Sequence, residues 1–448
     1  MWKYLFSISA ATAFSICITG IVQAQQDTLS TVPLRWNLET CLEYAHQNNL
    51  QVRNLRLTEK TSEQDLLLSK AAKYPSLSGS ASQSIVNSKN ADPVVGGFQT
   101  QASLSSNFSV SSSVVLFNGG YLNNDIKQKN LSLQIAQLNT DAAINDITLQ
   151  ITQAYLNILL VKENIVYLQD LLETSQAQLK QGKQRFDAGS ISRKDYIQFE
   201  SQSATDKYNL VTAQNSYRQN LLTLKQILQL TSAVDFDVVA PDTLIVKPSL
   251  PSLQDAEKVA MATRPEIKSG QLAIDVAEFE LKKSKAGRLP TVSLGGSLAT
   301  GYSDNQDSKY FTQLNNNFYQ RAALTVAVPI FSNRVNKTNI ERSKIQIEQA
   351  KVALLGTKTT LDQAVEQSYI ALINAQNQFD AAGVQFKTNE ETYNITNEQL
   401  KLGAVNMVEV LQQKTLYIQA LQAYIQSKYS AIMNQKIFDF YTGVPVTL

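Results

Sequence analysis

The sequence predicts a mixed α and β chain with an internal twofold repeat, in which a long antiparallel α-helical coiled coil continues into a transmembrane β-barrel. Three observations lead to this fold class: two long stretches without proline, four segments that alternate apolar and polar residues, and a duplicated motif order. The chain has 448 residues, of which 43% are hydrophobic and 17% charged, and its mean hydropathy is −0.18. That average excludes a polytopic helical membrane protein, because each spanning helix needs about 20 mostly apolar residues.

The N-terminus predicts a secretory signal peptide over residues 1–24. Lys3 precedes an apolar stretch over residues 4–22, and a Val-Gln-Ala cleavage site ends at residue 24. An uncleaved anchor helix is the alternative, although the apolar run is short for one. Lipidation at Cys17 is disfavoured, because the residue before it is not small. Removal of the signal would leave Cys41 as the single cysteine, so the mature chain could form no internal disulfide.

The stretches without proline predict long helices. No proline occurs over residues 94–240 or 330–444, and residues 121–181 also contain no glycine. About 60 residues at 1.5 Å each form a rod of roughly 90 Å, which must pack along its length. We predict helices at about 121–230 and 333–440, each range broken by a glycine turn. The first range carries an amphipathic stripe, formed by Leu131, Ile135, Leu138, Ala142, Ile147, Ile151, Tyr155 and Ile158.

Segments with a period of two predict four strands of about ten residues, at about 76–86, 101–117, 291–302 and 318–330. One side of each strand is apolar, and the other is polar and often serine. A membrane β-barrel has this pattern, and by the pattern alone a soluble sandwich is equally consistent with it. Because lipid tolerates no open sheet edge and four strands cannot enclose a lumen, a barrel would have to be shared by several chains.

The two halves of the chain align with each other. At a shift of 215 residues Tyr74-Pro75 matches Leu289-Pro290, and at a shift of 214 Gly189 matches Gly403. The repeat predicts a first unit at 25–230, an irregular proline-containing connector at 231–256 and a second unit at 257–448.

In their order and duplicated spacing, the motifs closely resemble the outer-membrane efflux protein family, the TolC-like export ducts. The matching motifs are Trp36-x-Leu38, Tyr74-Pro75-Ser76-Leu77, Leu116-Phe117-Asn118-Gly119-Gly120, Phe186-x-Ala188-Gly189, Arg264-Pro265-Glu266, Pro329-Ile330-Phe331 and Leu402-Gly403. The resemblance implies a homotrimer with a twelve-strand barrel in the lipid of a Gram-negative cell outer membrane and a twelve-helix tunnel through the periplasm. It implies a passive exit duct of a tripartite efflux or type I secretion system, opened at its periplasmic tip by an adaptor protein and an inner-membrane transporter.

The resemblance also assigns site residues. The adaptor-docking tips would be Phe186, Ala188, Gly189, Ser190, Leu400, Leu402, Gly403 and Ala404. Without the resemblance, the sequence favours plain turns that bind no partner, because glycine turns are common. Asp195 and Glu409, each six residues after a tip glycine, would form acidic rings at the tip constriction. A carboxylate that only complements the helix dipole in the first helical turn is an equal alternative for either residue. The junctions between barrel and helices would lie at Tyr74, Pro75, Phe117, Leu289, Pro290, Pro329 and Phe331.

Composition argues against other function classes. A lone histidine, His46, and two cysteines exclude triads with an imidazole base and most metal sites, and no nucleotide-binding motif occurs. A net charge of +2 without a basic cluster disfavours nucleic acid as a partner. We therefore expect no enzyme, no cofactor and no metal. The main alternative is a periplasmic or secreted structural coiled-coil protein. A glycosidase that works with carboxylates alone is a third reading, which the scarcity of tryptophan disfavours.

Overall fold

The computed structural model describes residues 35–91, 98–231, 236–241 and 252–444. The predicted signal peptide at 1–24 lies outside the described residues, as does much of the predicted connector. The first half contains β1 (Arg35–Trp36), α1 (Leu38–Asn48), α2 (Leu50–Ala71), β2 (Ser76–Ala91), β3 (Phe98–Phe117), α3 (Tyr121–Asp187) and α4 (Arg193–Leu228). The second half contains β4 (Asp237–Val238), α5 (Leu253–Thr263), α6 (Pro265–Ala286), β5 (Thr291–Ser303), α7 (Tyr310–Asn316), β6 (Tyr319–Ala327), α8 (Val335–Lys401) and α9 (Met407–Tyr441).

Two long helical hairpins, α3 with α4 and α8 with α9, dominate the chain. Helices α3 and α8 have 67 residues each, which corresponds to roughly 100 Å. Their first and last residues differ by the same 214 positions that relate the tip glycines. Helix α3 packs against α2, α6 and α9, and α6 also packs against α8. Among the described residues, no helix is both long and apolar enough to cross a membrane.

The largest core lies midway along α3, where the hairpin meets the N-terminal segment. Ile147, Ile151, Tyr155 and Ile158 of the predicted stripe are buried there against Trp36 and its neighbours. Strands β1 and β4 pair in parallel, and the Tyr155 hydroxyl donates to the carbonyl oxygens of Trp36 and Val239 at the end of this pair. The hydroxyl group of a buried tyrosine thereby finds backbone acceptors at the end of the strand pair.

The long strands form one antiparallel sheet in the order β2-β3-β5-β6. Serines from β2 and β3 lie opposite each other on one side of it, which we call the serine face. Hydroxyls on this face are hydrogen-bonded across the strands, in the pairs Ser76–Ser113 at 3.2 Å, Ser78–Ser111 at 2.9 Å, Ser80–Ser109 at 2.8 Å and Ser84–Ser105 at 2.7 Å. The opposite side, the apolar face, exposes large side chains: Leu77 is 76% exposed, Leu298 46% and Leu324 63%. The strands β2 and β6 are the edges of the sheet within this chain.

Several predicted bounds need correction. Strand β6 ends at Ala327 and not at 330, and Pro329 just beyond it has no N–H to offer to a ladder. Strand β2 continues to Ala91, which pairs with Phe98. The predicted connector is not wholly irregular, because it contains β4 and the start of α5, where the Ser252 hydroxyl caps the helix by accepting from Asp255 N at 3.2 Å. The short helix α7 has no counterpart among the predicted elements.

Candidate functional site

The two hairpin tips are built from the same backbone motif. Gly189 and Gly403 have left-handed φ values of +72° and +71°, as the sequence predicts for a residue that reverses the chain. In the first tip Ser190 N donates to Arg185 O at 2.8 Å, and Gly189 N donates to the carbonyl oxygen of Phe186 at 2.9 Å. This pair of bonds is the Schellman motif that closes a helix end.

The second tip repeats these bonds. There Ala404 N donates to Gln399 O at 2.9 Å, and Gly403 N donates to Leu400 O at 3.0 Å. Nothing lies within 4 Å of where a Cβ would stand on either tip glycine, so conformation and not space requires glycine at these positions. Ala188, Ser190 and Ala404 are exposed beside the glycines, and Leu402 is 84% exposed. Each tip therefore ends in small or apolar side chains that face outward.

The two acidic residues after the tips are both the third residue of a helix, but their contacts differ. Ser192 begins α4 with a capping box, in which Asp195 N donates to Ser192 Oγ and the Asp195 carboxylate accepts from Ser192 N and Oγ. Asn406 caps α9 by accepting from Glu409 N at 3.1 Å, and the Glu409 side chain is exposed. The Asp195 carboxylate is therefore engaged in a local helix cap, whereas Glu409 is exposed.

Apolar packing behind the tips joins the two hairpins. Phe199, Tyr393, Met407 and Val410 form a buried cluster there, and Phe199 lies so close to α3 that a Cβ on Gly182 would stand 2.7 Å from its ring. The predicted tip residue Phe186 stacks on Tyr196 with ring centroids 5.4 Å apart. The tips thus extend from a packed end of the molecule, which holds their turns in place.

Polar contacts that the sequence does not reveal also cross between the hairpins. Lys414 of α9 and Asp206 of α4 form an ion pair at 2.7 Å, with side chains only 1% and 2% exposed. Closer to the tips, Gln178 Nε2 of α3 donates to Asn397 Oδ1 of α8 at 3.1 Å. These partners lie more than 200 positions apart in the chain, so no local spacing could have indicated them.

A cleft of about 470 Å³ opens beside these contacts, between α3 and α8 and against Phe199. Asp170 and Glu173 line the end away from the tips, and Arg185 and Lys401 line the end next to them. Its charge therefore changes from acidic to basic along the helix direction. Leu400, a predicted tip residue, belongs to the basic end.

The predicted junction residues lie where the helices meet the sheet. Tyr74 N donates to Ala71 O, and Leu289 N donates to Ala286 O, both at 2.9 Å, so the repeat uses the same turn twice before β2 and β5. Pro75 and Pro290 directly precede these strands. Large apolar side chains are exposed at this level: Tyr74 is 74% exposed, Phe117 49%, Leu289 46% and Phe331 85%, and Pro329 beside Phe331 is exposed as well.

Metal and nucleophilic chemistry find no support in the parts of the chain that the structure describes. No group of three or more His, Cys, Asp or Glu side chains in those ranges could hold a metal ion. Cys41 is buried, and its burial raises the pKa of the thiol to about 12, so the thiol stays protonated at neutral pH. His46 lies 3.0 Å from the Thr148 hydroxyl, and its pKa is lowered by burial and by Arg56.

Two solved outer-membrane channels share this fold. The chain matches the CmeC outer membrane channel of Campylobacter jejuni with a TM-score of 0.77 at 17% identity, over 91% of this chain and 85% of that one. It matches the open state of the MtrE channel of Neisseria gonorrhoeae with a TM-score of 0.74 at 19% identity, over 91% and 89% of the two chains. At these identities the similarity establishes the fold alone: two long helical hairpins that continue into a β domain.

Sequence comparison establishes the family. The family described as Outer membrane efflux protein matches residues 41–229 and 258–443, which is well over half of the chain. This chain belongs to the outer membrane efflux protein family, and the resemblance drawn from its motif order is confirmed. The family consists of transport proteins and not of enzymes.

Curated relatives are distant. Toxin and drug export protein A of Aggregatibacter actinomycetemcomitans is 26% identical over 281 residues, which cover 62% of this chain and 58% of that protein. The outer membrane efflux protein BepC of Brucella suis is 19% identical over 422 residues, covering 94% and 87% of the two chains. The first alignment spans less than two thirds of the relative.

Proposed function

We propose that this chain forms, as a homotrimer, the outer-membrane exit duct of a tripartite efflux or type I secretion system. The observation that carries the proposal is the four-stranded sheet, which exposes an apolar face on one side and hydroxyl groups on the other. Its edges β2 and β6 have no partner strand within the described chain. In lipid these edges must pair, and pairing with identical neighbours closes a barrel with the serine face inside. Three chains give the twelve strands that leave an aqueous lumen.

The helical hairpins would then line a periplasmic tunnel below the barrel. Each is roughly 100 Å long by its residue count, and the exposed rings at the junction match the aromatic girdles of membrane interfaces. Relatives are named for export of toxins and drugs and for secretion of an alkaline protease. An exit duct without chemistry of its own is compatible with such different cargoes, because selection would lie upstream.

The tips would receive a periplasmic adaptor coupled to an inner-membrane transporter. We assign the docking surface to Phe186, Ala188, Gly189, Ser190, Leu400, Leu402, Gly403 and Ala404. This surface exposes small and apolar side chains, and it lies beside the cleft that is acidic at one end and basic at the other. Both features suit the tip of a helical hairpin of a partner protein. An adaptor that binds the open tip more tightly than the closed tip would open the duct.

The first experiment is fractionation of the cell envelope, followed by light scattering of the mature protein with correction for bound detergent. We expect recovery in the outer membrane and a mass near three protomers. A protein that needs no detergent and has the mass of one or two protomers would instead support the structural coiled-coil alternative, because its apolar sheet face would then not lie in lipid.

A second experiment tests the acidic ring at the tip. Of the two predicted acids, the exposed Glu409 is the stronger candidate, because Asp195 is held by its helix cap. We expect Glu409→Ala to lower the cation selectivity of single channels in planar bilayers, since three carboxylates would be lost from one constriction. Glu348→Ala, roughly 80 Å along α8 from the tip, is the matched control. Unchanged selectivity and conductance in Glu409→Ala would refute the proposed acidic ring.

A further inference from the structure

The strands of the sheet carry very little charge. In the described residues of β2, β3, β5 and β6 there is no Asp or Glu, and the only charged residues are Lys89 and Arg321. Lys89 lies near the end of β2, an even number of positions after Leu77, and therefore belongs to the apolar face. Arg321 is the third residue of β6 and is exposed. It is therefore the one formal charge that the described strands can place on the serine face.

The strand register shows which face Arg321 occupies. Arg321 pairs with Ser297, Ser297 pairs with Ser111, and Ser111 pairs with Ser78. Residues in direct cross-strand register project to the same side of a sheet, so Arg321 lies in line with three serines. Ala322 and Leu324 lie one and three positions after Arg321 in β6 and therefore project to the apolar face.

The surroundings of Arg321 leave its charge uncompensated by neighbouring strands. The positions flanking it on the serine face of β5 are Gly295 and Ala299, which have small side chains and no charge. Asp304, the first acid after β5, accepts a hydrogen bond from Leu104 N at 2.7 Å. In a closed barrel the other neighbour of β6 is β2 of the next protomer, which contains no carboxylate in its described residues.

We propose that three Arg321 side chains form an anion-binding ring in the lumen of the barrel, which takes carboxylate, phosphate or sulfate groups of the cargo. This inference rests on the proposed trimeric duct, because the ring requires the serine face to line the lumen. Guanidinium groups bind such oxyanions through paired N–H donors. The ring would make the barrel favour anionic groups, independently of any acidic ring at the tips.

Barrel geometry sets the strength of the effect. Twelve strands about 4.8 Å apart and tilted by about 40° form a cylinder with a backbone radius of about 12 Å. Arginine side chains that reach about 6 Å inward leave each charge about 6 Å from the axis, which is less than the Debye length of about 8 Å at physiological ionic strength. Three such charges enrich a monovalent anion over a monovalent cation on the axis by roughly 30-fold at 0.15 M salt, and by only about threefold at 1 M.

The test is block of single-channel current in planar bilayers by mellitate, a benzene ring with six carboxylates, added to each compartment in turn. In 0.15 M KCl we expect block of the wild-type channel from the barrel side. Arg321→Gln should raise the half-blocking concentration at least tenfold, and Arg321→Lys, which keeps the charge, should change it by less than about threefold. Arg342→Gln, which removes an exposed arginine from α8, is the matched control and should leave the block unchanged.

The outcomes separate this inference from the proposed duct. If no variant and no wild-type protein forms channels, the duct fails and the ring fails with it. If channels form but mellitate blocks the wild type and Arg321→Gln equally, the ring alone is refuted. The ring is also refuted if Arg321→Lys, which keeps the charge, loses the block as strongly as Arg321→Gln. If Arg321→Gln fails to insert into the bilayer, the salt dependence of the wild-type channel still tests the ring. A half-blocking concentration of mellitate that rises less than tenfold between 0.15 M and 1 M KCl would rule out an electrostatic ring.

Discussion

The ion pair between Asp206 and Lys414 is the polar contact whose loss we expect to loosen the packing behind the tips most strongly. Lys414 Nζ lies 2.7 Å from Asp206 Oδ2, and both side chains are almost fully buried. Gln202 Nε2 donates to the other carboxylate oxygen at 2.8 Å. Lys414→Met would leave the carboxylate buried with only an amide partner, and removal of one member of a buried pair costs about 3–5 kcal/mol. Replacement of both, by Asp206→Leu with Lys414→Met, is expected to be close to neutral.

Hydrogen exchange followed by mass spectrometry measures this effect where it occurs, in peptides from α4 and α9. Since about 1.4 kcal/mol corresponds to a factor of ten, Lys414→Met should lower amide protection by roughly two to four orders of magnitude, and the double variant should recover most of it. Lys401→Met is the control, because its ion pair with Glu398 at 2.6 Å is more than half exposed and contributes little. Protection within tenfold of wild type in Lys414→Met, or no recovery in the double variant, would refute the reasoning.

Three further outcomes can be checked on the same purified protein. Gly403→Ala should lower exchange protection at the second tip about five- to thirtyfold, because a left-handed φ of +71° costs an L-residue about 1–2 kcal/mol; unchanged protection would show that the turn relaxes. Gly182→Leu should lower the thermal midpoint measured by circular dichroism, since even its Cβ would lie 2.7 Å from the Phe199 ring, and an unchanged midpoint would contradict this packing. Cys41, with a thiol pKa raised to about 12 by burial, should react with a maleimide at pH 7.5 only after denaturation, so labelling of the native protein would contradict its placement.

Local signals in the sequence predicted the elements because each signal acts over a few residues. Gly189 and Gly403 mark the ends of α3 and α8, since a left-handed residue stops a helix wherever it occurs. The alternation of serine with apolar residues predicted β2 and β3 and identified their two faces. The duplicated order of these signals then predicted the family, which the comparison confirmed.

Contacts between distant segments could not be predicted in the same way. Asp206 and Lys414 each look like an ordinary charge on a polar helix, and only the packing of α4 beside α9 buries them together. The two-residue strands β1 and β4 are too short to show a period, and the hydrogen bonds of Tyr155 of α3 to Trp36 O and Val239 O at the end of this pair join segments that are distant in the chain.

Arg321 combines both kinds of information. Its place among alternating residues was visible in the sequence, but its alignment with Ser297, Ser111 and Ser78 depends on the register of four strands. A shift of that register by one residue would move the guanidinium to the apolar face, where in the proposed barrel the charge would face lipid and destabilise the sheet. The cross-strand serine bonds, such as Ser78 to Ser111 at 2.9 Å, favour the observed register, so the hydroxyl ladder also determines on which face Arg321, the one charge that the described strands place among the serines, lies.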